Sequence, residues 1–204
     1  MKKKLITRAI LTVLAVGMLA GSAWAKAAPG DEAADFTLTD TAGQAHTLSN
    51  YLAEGKTVVL EWFNPDCPFI VKHHQTHKTM NESFARVKDN DVVWLAINSN
   101  AEGKQGHGLE RNRKAVKDYA IPFPVLMDPE GKVGTAYGAK TTPHMFIITP
   151  DGKVAYNGAI DDNRSAATLG ETNHVLAALH DLMQGQAVKV AETAPYGCSV
   201  KYAQ

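Results

Sequence analysis

Cys67 and Cys198 are the only cysteines in the 204-residue chain, and the first lies in a setting that can do chemistry. Val58 to Phe63 is an apolar, β-branched run that reads as a buried strand. A short polar turn, Asn64-Pro65-Asp66, leads to Cys67-Pro68 and then to a helical pattern. Pro68 fits the first helical position, where its missing N–H costs nothing. Cys67 is therefore expected at or next to the N-cap, where free backbone N–H groups and the helix dipole favour a thiolate, the nucleophilic form of cysteine. The same spacing also suits a buried, inert cysteine that only packs. One cysteine pair in a chain of this size is either a single structural bridge or a redox couple.

Histidine is the other residue type with chemical potential. His73 and His77 have the i, i+4 spacing that lets two imidazoles share a metal on one helix face. His74 follows Cys67 by seven residues, on the same helical face, and His144 follows Pro143. Imidazoles with a thiolate suit copper(I) or zinc, although helical histidines at a core edge need no metal. Gly131-Lys132-Val133-Gly134 has the glycines of neither a phosphate loop nor a dinucleotide fingerprint. No cofactor is expected and no metal ligand is assigned.

The first residues resemble a targeting segment. Lys2, Lys3, Lys4 and Arg8 form a charged n-region, Ala9 to Gly21 an uncharged apolar stretch, and Ala23-Trp24-Ala25 a small-x-small cleavage site. Residues 1–25 are expected to be a bacterial signal peptide, and the mature protein to be periplasmic or secreted. The apolar stretch is shorter than the roughly 20 residues of a membrane span. Removing those four cations from 21 leaves 17 against 21 acidic side chains, a mature net charge of −4. This mild, mixed charge argues against nucleic acid and against an anionic membrane surface as partners.

The elements that must position Cys67 can be taken in order. Asp35 to Thr39 and Ala45 to Leu48 read as a hairpin around Gly43. Ser49 is expected to cap a short helix before the Val58–Phe63 strand. One helix is expected from Cys67 to about Val87, with His73 and His77 on its apolar face. Val92 to Ile97 is a buried strand, Asn98 to Arg111 a glycine-rich loop, Asn112 to Tyr119 a helix and Phe123 to Met127 a strand. Lys132 to Tyr137 is a short helix. Met145 to Thr149 and Lys153 to Ile160 form a hairpin, and Thr172 caps a last helix that ends at Gly185. The tail has no helical period. Buried strands joined by crossover helices imply an α/β fold with a mixed sheet flanked by helices. The domain is expected over residues 26–186, with a tail, 187–204, carrying Cys198.

From Pro29 to Gln184 the chain resembles a thioredoxin-fold protein of the redoxin branch, the alkyl hydroperoxide reductase and thiol-specific antioxidant proteins. Three features carry the resemblance: the opening Pro29-Gly30 … Asp35-Phe36-Thr37-Leu38 … Gly43, Cys67 after the first core strand, and Thr142-Pro143 before the final hairpin. The resemblance implies a cis proline at Pro143, lying with Thr142 against Cys67 and guiding substrate docking. It places a proton-handling acid at Glu61, six residues before Cys67. A carboxyl inside an apolar strand is pushed toward its neutral form and can act near neutral pH. Thioredoxins carry a second cysteine at the position of Ile70, so exchange within a Cys-x-x-Cys turn is excluded. Typical peroxiredoxins carry Thr or Ser at the position of Asn64 and Pro at that of Leu60. The usual peroxide-orienting hydroxyl is thus missing, with Asn64 as a possible substitute donor.

The resemblance further implies a resolving role for Cys198, brought to an oxidised Cys67 by a mobile tail. A structural bridge or a bridge between chains stays open. The expected protein is an exported thiol oxidoreductase, peroxiredoxin-like, that reduces peroxide or exchanges disulfides through Cys67 with an unknown thiol reductant. Its site residues are Cys67, Cys198, Glu61, Pro143, Thr142 and Asn64. The competing readings are a periplasmic copper- or zinc-binding module and a non-catalytic interaction protein.

Overall fold

The computed structural model describes residues 27–203, so the expected signal peptide lies outside the described residues. The hairpin of β1 (Thr37–Asp40) and β2 (Ala45–Thr47) is followed by α1 (Leu48–Ala53). Ser49 lies inside α1; its backbone N–H is taken by Asp35 Oδ1 at 2.9 Å, and Thr47 holds the cap position. The central strand β3 (Thr57–Trp62) leads into α2 (Pro68–Val71), a π-helical turn at Lys72–Thr76 and α3 (Thr79–Val87).

After this crossover come β4 (Val92–Asn98), α4 (Leu109–Asp118), β5 (Val125–Met127) and α5 (Lys132–Tyr137). Then follow β6 (Thr141–Thr142), β7 (Met145–Ile148), β8 (Val154–Gly158), α6 (His174–Met183) and β9 (Cys198–Ser199). Helix α4 starts three residues earlier than expected, straight from Gly108. Asn173, one residue after the expected Thr172, caps α6 by accepting the Leu176 N–H at 2.9 Å.

Seven strands form one mixed sheet in the order β2-β1-β5-β4-β3-β7-β8. β3 pairs parallel with β4 and antiparallel with β7, and β4 pairs parallel with β5. A parallel pair needs a crossover connection, and α2 to α3 supply the one between β3 and β4. β3 is buried on both sides, as its apolar run requires. Its alternation sends Val59 and Phe63 into a cluster with Cys67, Ile70, Met80 and Val175. Val58, Leu60 and Trp62 face the opposite cluster with Leu48, Ala136 and Tyr137. Helices α3 and α6 therefore cover one face, and α1 and α5 the other.

The expected single helix after Cys67 is broken twice. The π turn carries an extra residue per turn, which shifts the phase and buries Lys72, His73 and His74 in succession. Lys78 then takes a left-handed backbone (φ 54°) and α3 starts afresh.

Candidate active site

Cys67 is the N-cap residue of α2, with Pro68 at the first helical position as expected. The turn before it is built by Asn64, whose carbonyl accepts the Cys67 N–H at 3.0 Å and whose Oδ1 accepts the Asp66 N–H at 2.9 Å. Gly106 presses on this turn so closely that a Cβ there would lie 2.0 Å from Asn64 Oδ1. Arg111 holds the other side, donating to Asp66 Oδ1 at 2.8 Å through Nε and to the Pro65 carbonyl at 3.0 Å. Tyr119 donates to that same carbonyl at 2.8 Å. Asn64 Nδ2 is buried without a protein partner among the described residues.

The Cys67 side chain makes no cap bond to the helix. Its Sγ–H donates to the Thr142 carbonyl, with sulfur and oxygen 3.0 Å apart. The Thr142–Pro143 peptide is cis, as the resemblance implies. Cys67 is fully buried, with 0 % of its surface exposed.

What covers Cys67 is the tail. Strand β9 pairs antiparallel with β6, and Cys198 stands opposite Thr142. Burial first and the neighbouring Cys67 second push the Cys198 thiol up to a pKa of about 11. Cys198 itself is only half-buried, with Ser199 exposed beside it. The tail expected to be a mobile arm is a docked strap. Gly197, at φ +136°, is one reason: a Cβ there would lie 2.1 Å from the Thr142 oxygen. Beyond Cys198, Val200 donates to the Lys140 carbonyl, Ala101 to that of Lys201, and Tyr202 Oη to that of Ala139.

A buried polar cluster anchors the strap on the other side of Cys198. Tyr196 donates to Asp161 Oδ1 and accepts from Lys72 Nζ at 3.2 Å, and its oxygen lies 3.0 Å from His73 Nε2. Lys72 also donates to the Asn163 carbonyl at 2.9 Å and lies 3.4 Å from Asp161 Oδ2. Burial lowers the Lys72 ammonium, with Asp161 working against it. Burial and then the Lys72 charge hold the His73 imidazole well below the usual range, so it is neutral here. The sequence pattern singled out none of Lys72, Asp161 and Tyr196; the aromatic two residues before Cys198 was the available signal.

Glu61 is fully buried on the Cys67 face of β3, between Val59 and Phe63. Its Oε1 lies 2.6 Å from His74 Nε2, and its Oε2 accepts from Trp94 Nε1 at 3.3 Å. His74 Nδ1 has no partner among the described residues. The structure thus pairs Glu61 with His74, a partner that the residue pattern had not given it.

The remaining histidines do not converge. His77 Nε2 lies 2.9 Å from the Ala167 carbonyl, away from His73. His144 sits between the Lys140 N–H and Asn157 Oδ1, and burial holds its pKa down to about 4. Among the described residues, no three His, Cys, Asp or Glu side chains are placed to hold a metal.

A mixed sheet between two helical layers, a cysteine at a strand–helix junction and a cis proline beside it define a thioredoxin-fold redoxin. Residues 29–157 match the AhpC/TSA family model, and the chain belongs to that family. It is 29 % identical over 160 residues to the thiol-disulfide oxidoreductase ResA of Geobacillus thermodenitrificans, covering 75 % of this chain and 86 % of that one. Among solved structures, a hypothetical protein of Sinorhizobium meliloti 1021 is 29 % identical at a TM-score of 0.76, covering 86 % of this chain and 94 % of that one. The thioredoxin domain of a thiol-disulfide oxidoreductase of Bacteroides vulgatus shares the fold at a TM-score of 0.53 and 19 % identity, covering 64 % of this chain and 87 % of that one. The enzyme class expected from the sequence, a thiol oxidoreductase, agrees with these relatives.

Proposed function

We propose that the protein exchanges disulfides with partner proteins through a redox pair of Cys67 and Cys198 within one chain. The observation that carries this reading is that both cysteines meet at Thr142: Cys198 stands opposite it in the β6–β9 pair, and the Cys67 Sγ–H donates to its carbonyl at 3.0 Å. Two cysteines that flank one residue close a disulfide without moving either element far. Glu61 with His74 handles the proton released as the pair oxidises, from a site closed to water. Protein disulfides suit the site better than peroxide, because Asn64 and Leu60 replace the residues that orient peroxide in typical peroxiredoxins. Asn64 shapes the Cys67 turn, while Thr142 and Pro143 form the ledge on which the strap lies.

Export belongs to the same proposal and rests on the pattern of residues 1–25. No helix among the described residues is long and apolar enough to cross a membrane.

The test is steady-state reduction of insulin disulfides with dithiothreitol as electron source. Replacing either Cys67 or Cys198 by Ala is expected to abolish the protein-dependent rate while circular dichroism stays native. Wild-type turnover by Cys67→Ala contradicts the assignment.

A further inference from the structure

We propose that Cys198, rather than Cys67, is the sulfur that partner proteins engage; this rests on the redox pair proposed above. The reason is steric. Cys67 has no exposed surface, and the strap that covers it is fixed on both sides of Cys198. On one side Tyr196 is locked into the buried cluster of Asp161, Lys72 and His73. On the other, Lys201 donates its N–H to Asn100 Oδ1 and accepts that of Ala101, and Val200 donates to the Lys140 carbonyl. Gly197 lies flush on the Thr142 carbonyl, which leaves no room for a partner backbone on that edge of β6. A protein thiol therefore cannot approach Cys67 while the strap is in place. Cys198 packs against the Cys67 cluster but keeps part of its surface exposed at the strap, so it is the sulfur of the two that a partner can reach.

In thiol–disulfide exchange the nucleophile attacks one sulfur and expels the other, so the sulfur that can be reached decides which one is engaged.

From the oxidised pair, a partner thiolate attacks Cys198 Sγ and the Cys67–Cys198 bond breaks. Its electron pair stays on Cys67 as a thiolate. The partner's second thiolate then attacks its own sulfur in the mixed disulfide, and Cys198 departs and takes up a proton. The partner dithiol loses two electrons and two protons to become a disulfide, and the pair gains them as two thiols once Cys67 has also taken up a proton.

The test uses the full mature protein, first oxidised and shown by intact mass to carry the internal disulfide. Absence of that disulfide would overturn the redox-pair reading itself. With the disulfide present, limiting reduced glutathione is added, and the reaction is quenched within seconds by acid and N-ethylmaleimide. Peptide mass spectrometry then locates the glutathione. We expect it on Cys198 in at least about tenfold excess over Cys67, with Cys67 carrying the maleimide. Glutathione mainly on Cys67, or divided evenly, overturns the inference while leaving the redox pair intact. A second measurement uses reduced Cys198→Ser protein and a poly(ethylene glycol) maleimide. Cys67 should resist labelling until denaturant is added, and rapid native labelling also overturns the inference.

Discussion

Gly197 lies against Thr142 so tightly that a Cβ on it would sit 2.1 Å from the carbonyl oxygen that also accepts the Cys67 thiol. One backbone oxygen thus receives the Cys67 thiol from one side and the closing strap from the other. The strap's register and the burial of Cys67 are consequences of the same contact.

Replacing Gly197 by Ala should lift the strap. The methyl group has no space, and φ +136° is strained for any side chain, so the cost is about 1–3 kcal/mol. Native-state alkylation should then reach Cys67 while the seven-stranded sheet keeps its circular dichroism. Unchanged protection of Cys67 would contradict the close fit.

Tyr196→Phe removes the oxygen that joins Lys72, His73 and Asp161. Leaving buried polar groups without this partner should lower stability by about 1–3 kcal/mol. Urea unfolding measures it, and hydrogen exchange should show the loss first in the amides of residues 197–202. A variant as stable as wild type, with the tail equally protected, would show that the cluster does not anchor the strap.

Glu61→Gln keeps the shape of the buried side chain and removes its capacity to exchange a proton with His74. Disulfide exchange should slow by about 10²-fold, and the rise of its rate with pH should change shape. Stopped-flow oxidation of the reduced pair reads both. A rate within about threefold of wild type, with the same profile, would remove Glu61 from proton handling.

Stability should fall on acidification, with a sign fixed by burial. His144 is held down to about 4 in the folded protein, against 6.5 when unfolded. Between those values the unfolded chain binds a proton that the folded one refuses, so stability rises with pH across the window and is lost below it. His73 is lowered in the same sense by burial and by Lys72, and adds to the slope. For His144 the loss is on the order of 3 kcal/mol by pH 4. Urea midpoints between pH 7 and 4 should show the decline, and His144→Asn should flatten it. A pH-independent midpoint would mean that His144 is not held neutral by the fold.

Much of this was legible in the residues. The apolar run of β3 and Pro68 placed Cys67 at its strand–helix junction, because hydrophobic pattern and proline act locally. Lys132–Tyr137 appeared with the bounds expected, set by left-handed glycines at 131 and 138. The π turn was illegible, since one inserted residue changes the helix phase without changing composition, and it moved His73 and His74 to different partners. The docked tail was also hidden. The strap is held by backbone bonds and two tyrosines, Tyr196 and Tyr202, which leave no periodic signal. Ser49 and Thr172 were one or two residues off as caps, where neighbouring polar residues competed for the same position.

The most direct measurement is intact mass with thiol alkylation of the mature protein before and after one equivalent of a disulfide oxidant. The account predicts the loss of both free thiols together, a mass two hydrogens lighter, and a single crosslinked peptide joining Cys67 to Cys198 within a monomer. Two thiols that remain alkylatable after denaturation, or a crosslink between two chains, would contradict it.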